Sequence, residues 1–269
     1  MEQASTGVLV WWVTLSVISI FNILLWLFAR KKALSAPQFY ELRKWQVILA
    51  AGFVFGCASR SFIIRADVQR FCMIDSWVAS VFVGRSIATI AELCFMAQAS
   101  LYLYELAKDA KANFAMNLSK IIVPLIAIAE VFSWYAVLTT NYIGNIFEES
   151  LWGFCGALLL IGFSTLWPHA DQKMYRFLAF TCFFISSFVL FMSTVDVPMY
   201  IFRWTSDQLM GQKYLTLSQG LWDASHRWVV TYRWDDWNTE IPWMSGYFSA
   251  VVWVSIFMIF APRFKKKNS

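Results

Sequence analysis

Four ionisable residues sit where charge is expensive. Arg85 and Glu92 lie in VFVGRSIATIAELCFMAQ (81–98), Glu130 in IAIAEVFSWYAV (126–137) and Asp196 in STVDVPMYIFRW (193–204). Carboxylates in apolar surroundings can hold a proton or bind a cation, and an arginine among them can balance their charge or help bind a small polar solute. Positions 85 and 92 are close to two helical turns apart and share a face, with Thr89 between them. About 10 Å of helical rise separates them. That separation argues against a simple side-by-side ion pair and directs each toward partners on neighbouring elements. Glu148, Asn141 and Arg203 are the supporting candidates, by their places near the same ends of their segments.

Each residue also has a plainer reading. Arg85 with an acid can be a clamp that fixes helix register. Glu92 and Glu130 can be neutral hydrogen-bond donors. Glu148 and Glu149 can complement the dipole at a helix start. His169 and His226 have no acidic neighbours at a ligand spacing, and no CxxC or CxxH pair suggests a metal. Cys57, Cys94, Cys155 and Cys182 read as small buried hydrophobes rather than as redox groups, with Cys72 in a loop.

These residues need elements to position them, and composition identifies the solvent. Of 269 residues, 59% are hydrophobic and only 14% charged, against about 25% charged in an ordinary soluble domain. The apolar residues come in blocks near the ~20 residues that cross a bilayer. The expected fold is therefore an all-α, polytopic helical bundle forming a single domain. Seven spans are expected, near 8–29, 45–64, 76–105, 118–140, 146–167, 176–202 and 242–262. The start MEQASTG lacks the basic region of a cleaved signal peptide, so the first span is expected to remain.

Lysines and arginines cluster after spans one, three, five and seven, including Lys31, Lys108, Lys173 and Lys265. The positive-inside rule then places the N-terminus outside and the C-terminus in the cytoplasm. The sequon NLS at 117–119 falls inside and should stay unmodified. The loop RSFIIRADVQRFC breaks the pattern, because Arg60, Arg65 and Arg70 fall on the outer side. Asp67 and Asp75 are local candidates to pair with them. The tail KKKNS resembles the dilysine signal of the endoplasmic reticulum, although a positive-inside flank explains it more simply; plasma membrane and endoplasmic reticulum both stay open.

The long connection 203–241 carries Leu215, Trp222, His226, Val229 and Arg233 at helical spacing, flanked by Trp204, Trp228, Trp234 and Trp237. It reads as an amphipathic helix in the headgroup region or as a packed lid. Seven spans invite comparison with rhodopsins and G-protein-coupled receptors. The last span has no lysine for a retinal Schiff base, and neither DRY nor NPxxY occurs.

A charge at the centre of a span costs about 2.5–3.5 kcal/mol. Arg85, Glu92, Glu130 and Asp196 are therefore expected to face a shared polar interior in the outer half of the bundle. The favoured function is binding or transport of a cation, proton or small polar solute. A non-catalytic subunit or receptor with a membrane-protein partner is the alternative. A membrane enzyme acting on a lipid-linked substrate comes third, because no nucleophile elbow, phosphate loop or histidine–carboxylate motif is present. The net charge of +5 needs no nucleic-acid partner, and no residue pattern names a cofactor.

Overall fold

A computed structural model of the chain describes residues 5–35 and 40–264. These described residues are 80% helical, and seven helical segments among them are long and apolar enough to cross a membrane. In chain order come α1 (Thr6–Leu34), α2 (Tyr40–Phe62), β1 (Arg65–Ala66), β2 (Phe71–Cys72), α3 (Val81–Asp109), α4 (Asn113–Thr139) and α5 (Ile143–Ser164). Then α6 (Gln172–Phe191) runs through a π-helical turn at Met192–Asp196 into α7 (Val197–Leu209). After α8 (Leu217–His226), β3 (Val229–Val230) and α9 (Trp234–Trp237), the last span joins α10 (Ile241–Gly246) to α11 (Val252–Met258) through a second π turn. The dilysine positions Lys266 and Lys267, with Lys265, lie outside the described residues.

The observed span ends shift by up to several residues from the expected ones, and three departures from the sequence expectation have a local reason. The third span starts at Val81 rather than 76, because Trp77–Ala79 forms a separate 3-10 turn. The sixth runs to Leu209 rather than 202. Pro198 has no N–H to give its helix, and the π turn ahead of it absorbs the mismatch, with Val197 N–H bonding back to Met192 O. The proposed stripe 215–233 is not one helix: only Leu217–His226 is helical there, Val229 is in a strand, and Arg233 precedes α9. Thr216 and Gln219 start α8 with a capping box. Leu217, Leu221 and Trp222 are exposed, while Gly220, Asp223 and Ala224 are buried. An apolar outward face of this kind suits the headgroup region.

Contacts group the chain into two compact units. The first contains residues 1–95, 137–140 and 215–260. Val8, Leu15 and Trp26 of α1 pack with Phe53 and Val54 of α2 and with Met244, Phe248 and Val252 of the last span. Small residues bring α2 onto α3: a Cβ on Gly56 would lie 2.6 Å from Ala91 Cβ, the close approach that membrane helices use in place of a hydrophobic drive. Buried polar groups add directional bonds. Asn22 donates to Phe248 O and accepts from Trp253 Nε1, while Trp26 Nε1 donates to Val47 O. The opposite face of α1, with Val10, Val17, Phe21, Leu24 and Phe28, is exposed and apolar, as a lipid-facing surface must be.

The basic loop after α2 folds in this unit as a small ionic knot. β1 pairs antiparallel with β2, and β2 pairs parallel with β3. Arg60 and Arg65 both bind Asp67, at 3.0 Å each. Arg70 is buried with a left-handed backbone, φ 64°. Its Nε meets Asp223 Oδ2 at 2.7 Å, and its two terminal nitrogens donate to Asp67 O and Val137 O. The arginines thus pair with acids, as the sequence allowed. The expectation for Asp75 is corrected, since it accepts from Trp228 Nε1 while Asp223, far away in sequence, takes Arg70.

Burial alone would push the Asp67 carboxyl up, but the guanidinium groups of Arg60, Arg65 and Arg85 outweigh it and hold the carboxyl below its ordinary value. A carboxyl lowered in the folded state stabilises above its unfolded value and loses that contribution as pH falls through the folded one. The melting temperature in detergent should therefore stay level down to about pH 4 and fall below it. Asp67→Asn should lower the neutral-pH melting temperature and remove Asp67's share of the acid-dependent drop.

The second unit contains residues 96–136, 141–214 and 261–269. Its buried residues include Leu103, Ile122, Ile126, Ala129, Cys155, Leu159 and Leu178. A Cβ on Gly162 would come within 2.6 Å of Leu103 Cδ2, so α5 packs closely on α3 there. After the last span, Arg263 is clamped by Asp109 at 2.7 Å and Glu105 at 3.1 Å, and Tyr102 Oη donates to Pro262 O. Phe180, Phe183, Leu190 and Phe202 form exposed apolar faces on α6 and α7. The sequon residue Asn117 lies inside α4, with the Ser119 hydroxyl buried and donating to Met116 O.

Candidate functional site

Within the second unit, α4 and α5 bring two glutamates together. Glu130 and Glu148 are both buried, and a carboxylate oxygen of one lies within 4.8 Å of an oxygen of the other. The local sequence explains the approach. A Cβ on Gly144 would sit 2.6 Å from Phe132 O and 2.7 Å from Ala136 N, so only glycine lets the α5 backbone come this near to α4. Phe132 and Phe147 stack beside it, with ring centroids 5.0 Å apart. Gly144 is one helical turn before Glu148, and Phe132 is two residues beyond Glu130, so the contact fixes the level of both acids.

Asn145 belongs to the same face of α5 as Glu148, three residues on. Its amide Nδ2 donates to Glu148 Oε2 at 3.1 Å, while its Oδ1 is buried with no hydrogen-bond partner among the described residues. Two ionised carboxylates no more than 4.8 Å apart would repel by at least about 3 kcal/mol at an effective dielectric of ~20. A shared proton or a neighbouring positive charge relieves that repulsion. Carboxylate oxygens with an amide oxygen form a donor set that suits protons and hard cations rather than zinc.

Glu148 also corrects a sequence expectation. Helix α5 begins at Ile143 and has no acid in its first turn. Glu148 and Glu149 lie beyond the range where the helix dipole acts, so capping does not explain them. Asn141 has the helix-start role instead: its Oδ1 accepts from Ile143 N at 3.0 Å. Asn145 was missed by the sequence reading, and its signal was the Asn145–Glu148 spacing.

In the first unit, Arg85 and Glu92 do form a direct ion pair, Nη2 to Oε2 at 2.8 Å. This corrects the expectation drawn from their helical rise. Backbone separation overstates the gap, because Glu92 leans toward the helix N-terminus and the long arginine reaches to meet it. Both side chains are nearly buried, so neither charge faces lipid. Thr89 is half-buried on the same helix.

Asp196 is half-buried at the end of the π turn, and its carboxylate is outside the close Glu130–Glu148 grouping. The Arg203 guanidinium lies 5.7 Å from the ring centroids of Tyr142 and Tyr200, close enough for cation–π attraction. Protein-family models, curated proteins and solved structures were all compared with the chain, and none matches it.

Proposed function

We propose that this integral membrane protein binds a proton or a small hard cation at Glu130 and Glu148, with Asn145 supplying a further oxygen, and moves it or a coupled polar solute across the bilayer. The observation that supports this reading is the close approach of two buried carboxylates inside membrane-spanning helices, at a glycine that permits it. Ionisable groups in such places mark ion and proton pathways more often than packing. With the N-terminus outside, the pair falls in the outer half of the membrane. Arg85 and Glu92 then act as a fixed ionic strut, and Asp196 and Arg203 line the polar side of the sixth span.

The test is flux in proteoliposomes with imposed proton, sodium and calcium gradients. The wild-type protein should dissipate one of these gradients. Glu130→Gln and Glu148→Gln should each cut that rate at least roughly tenfold, the size of a 1.4 kcal/mol loss, with the melting temperature retained. A rate unchanged in both variants would remove the pair from the pathway. The subunit or receptor reading draws on the exposed Trp222 and Trp234. A protein partner that co-purifies in mild detergent and is lost on Trp222→Ala would favour it.

A further inference from the structure

Positive charge collects at one end of the first unit, where α1 ends, α2 begins and the last span finishes. Residues 28–45 carry five basic side chains, Arg30, Lys31, Lys32, Arg43 and Lys44, and one acid, Glu41, so four positive charges are in excess. Arg30, Lys31, Lys32 and Lys44 are exposed, and Arg43 is half-buried. Two of the five are brought to one place. Lys32 Nζ lies 5.7 Å and the Arg43 guanidinium 5.9 Å from the ring centroid of Phe260, within the range of cation–π attraction. One ring thus gathers a charge from α1 and a charge from α2 at the end of the last span. The ring takes only one side of each cation, which leaves N–H donors free to meet an anion.

Helix electrostatics explains only half of this charge. Lys31 and Lys32 stand in the last turn of α1, where the helix dipole favours cations. Arg43 and Lys44 stand near the start of α2, where the same dipole disfavours them. Lys32 and Arg43 also repel each other across the shared ring. An anion at this point offsets both costs. The level of the cluster says which anion is at hand. Leu27 and Phe28, exposed and apolar, lie within one turn before Arg30, and the exposed Tyr40 and Trp45 flank the charges as interfacial aromatics do. The cluster therefore stands at the headgroup level, among lipid phosphates. With the N-terminus outside, this is the cytoplasmic leaflet, which carries the anionic lipids.

We propose that Lys32 and Arg43, gathered on Phe260 and supported by Arg30, Lys31 and Lys44, bind the phosphate of an anionic phospholipid, which ties the ends of α1, α2 and the last span together. The arginine fork can take two phosphate oxygens, and the lysines act as point charges. The site is independent of the Glu130–Glu148 pair, and neither proposal needs the other.

The experiment is a thermal shift on the full chain in a neutral detergent, with three probes: dioleoylphosphatidylglycerol, dioleoylphosphatidylcholine and inorganic phosphate. The anionic lipid should raise the melting temperature by roughly 5 °C or more at saturation. The zwitterionic lipid and free phosphate should each move it by under roughly 1 °C. Lys32→Gln combined with Arg43→Gln alters two side chains outside the apolar core and should abolish most of the shift. Phe260→Leu keeps every charge but removes the ring that gathers them, and should at least halve the shift. Lys173→Gln, an exposed cation of the second unit, should leave it unchanged. Equal shifts from the two lipids, or an equal shift from free phosphate, would overturn the proposal. So would a full shift retained in the Lys32 and Arg43 double variant. A full shift retained in Phe260→Leu would show a diffuse basic flank in place of a built site.

Discussion

Replacing Arg70 with methionine is expected to lower folding stability by about 3–5 kcal/mol, the range for removing one member of a buried ion pair. The residue is 2% exposed and joins three parts of the chain. It binds Asp223 on α8, Asp67 O in its own loop and Val137 O at the end of α4. Methionine fills much of the volume but leaves the Asp223 carboxylate with only Arg227, a partner 64% exposed and 3.4 Å away. The two carbonyls also lose their donors. Arg70 holds a left-handed backbone as well, an arrangement that the surrounding contacts must maintain. Thermal unfolding in detergent measures the loss. Adding Asp223→Leu should restore part of it, because the stranded charge is then gone, and the double variant should fall short of the sum of the two single losses. Simple addition of the two losses would show that the pair is not the latch.

Gly144→Ala should have the second-largest effect, and on function more than on stability. Its Cβ would meet Phe132 O, Ala136 N and Ala136 Cβ, all under 3.0 Å, and two of these are backbone atoms that cannot swing aside. Helix α5 must then move off α4, at a cost of roughly 1–3 kcal/mol for overpacking. Glu148 is one turn along and moves with it, so the distance to Glu130 opens. Cation or proton affinity should fall more than about tenfold, equivalent to 1.4 kcal/mol. Gly246→Ala is the control: a Cβ there meets nothing within 4 Å, and affinity should not change. A Gly144→Ala protein that keeps wild-type affinity would show that the close approach does not set the site.

Much of this architecture could be read from the sequence, because bilayer thickness sets a strong length signal that seven apolar blocks reproduce. What could not be read has physical causes. The pairing of Arg70 with Asp223 spans 153 positions, and nothing local to either residue announces it, whereas Asp67 was found because it lies beside Arg60 and Arg65. The Arg85–Glu92 pair is hidden in the sequence because helical rise measures backbone and not side-chain reach. In the sequence Glu148 is only a supporting residue: a boundary near 146 puts it at a helix start, where an acid has an ordinary explanation. The observed start at Ile143 removes that explanation. The role of Gly144 follows from the distance between two backbones, which no single-chain pattern encodes. Pro198 lacks an N–H for the helix ladder, yet a π turn lets the sixth span continue past it.

The most direct measurement is infrared difference spectroscopy of the carboxyl groups in the protein reconstituted in bilayers, recorded as pH and cation concentration are varied. A protonated-carboxyl band should convert to carboxylate when the cation binds, or when the proton leaves at higher pH. That band should be missing in Glu130→Gln and in Glu148→Gln and unchanged in Asp67→Asn. A spectrum that responds to neither pH nor cation, or a response that survives both glutamine substitutions, would contradict a proton or cation site at Glu130 and Glu148.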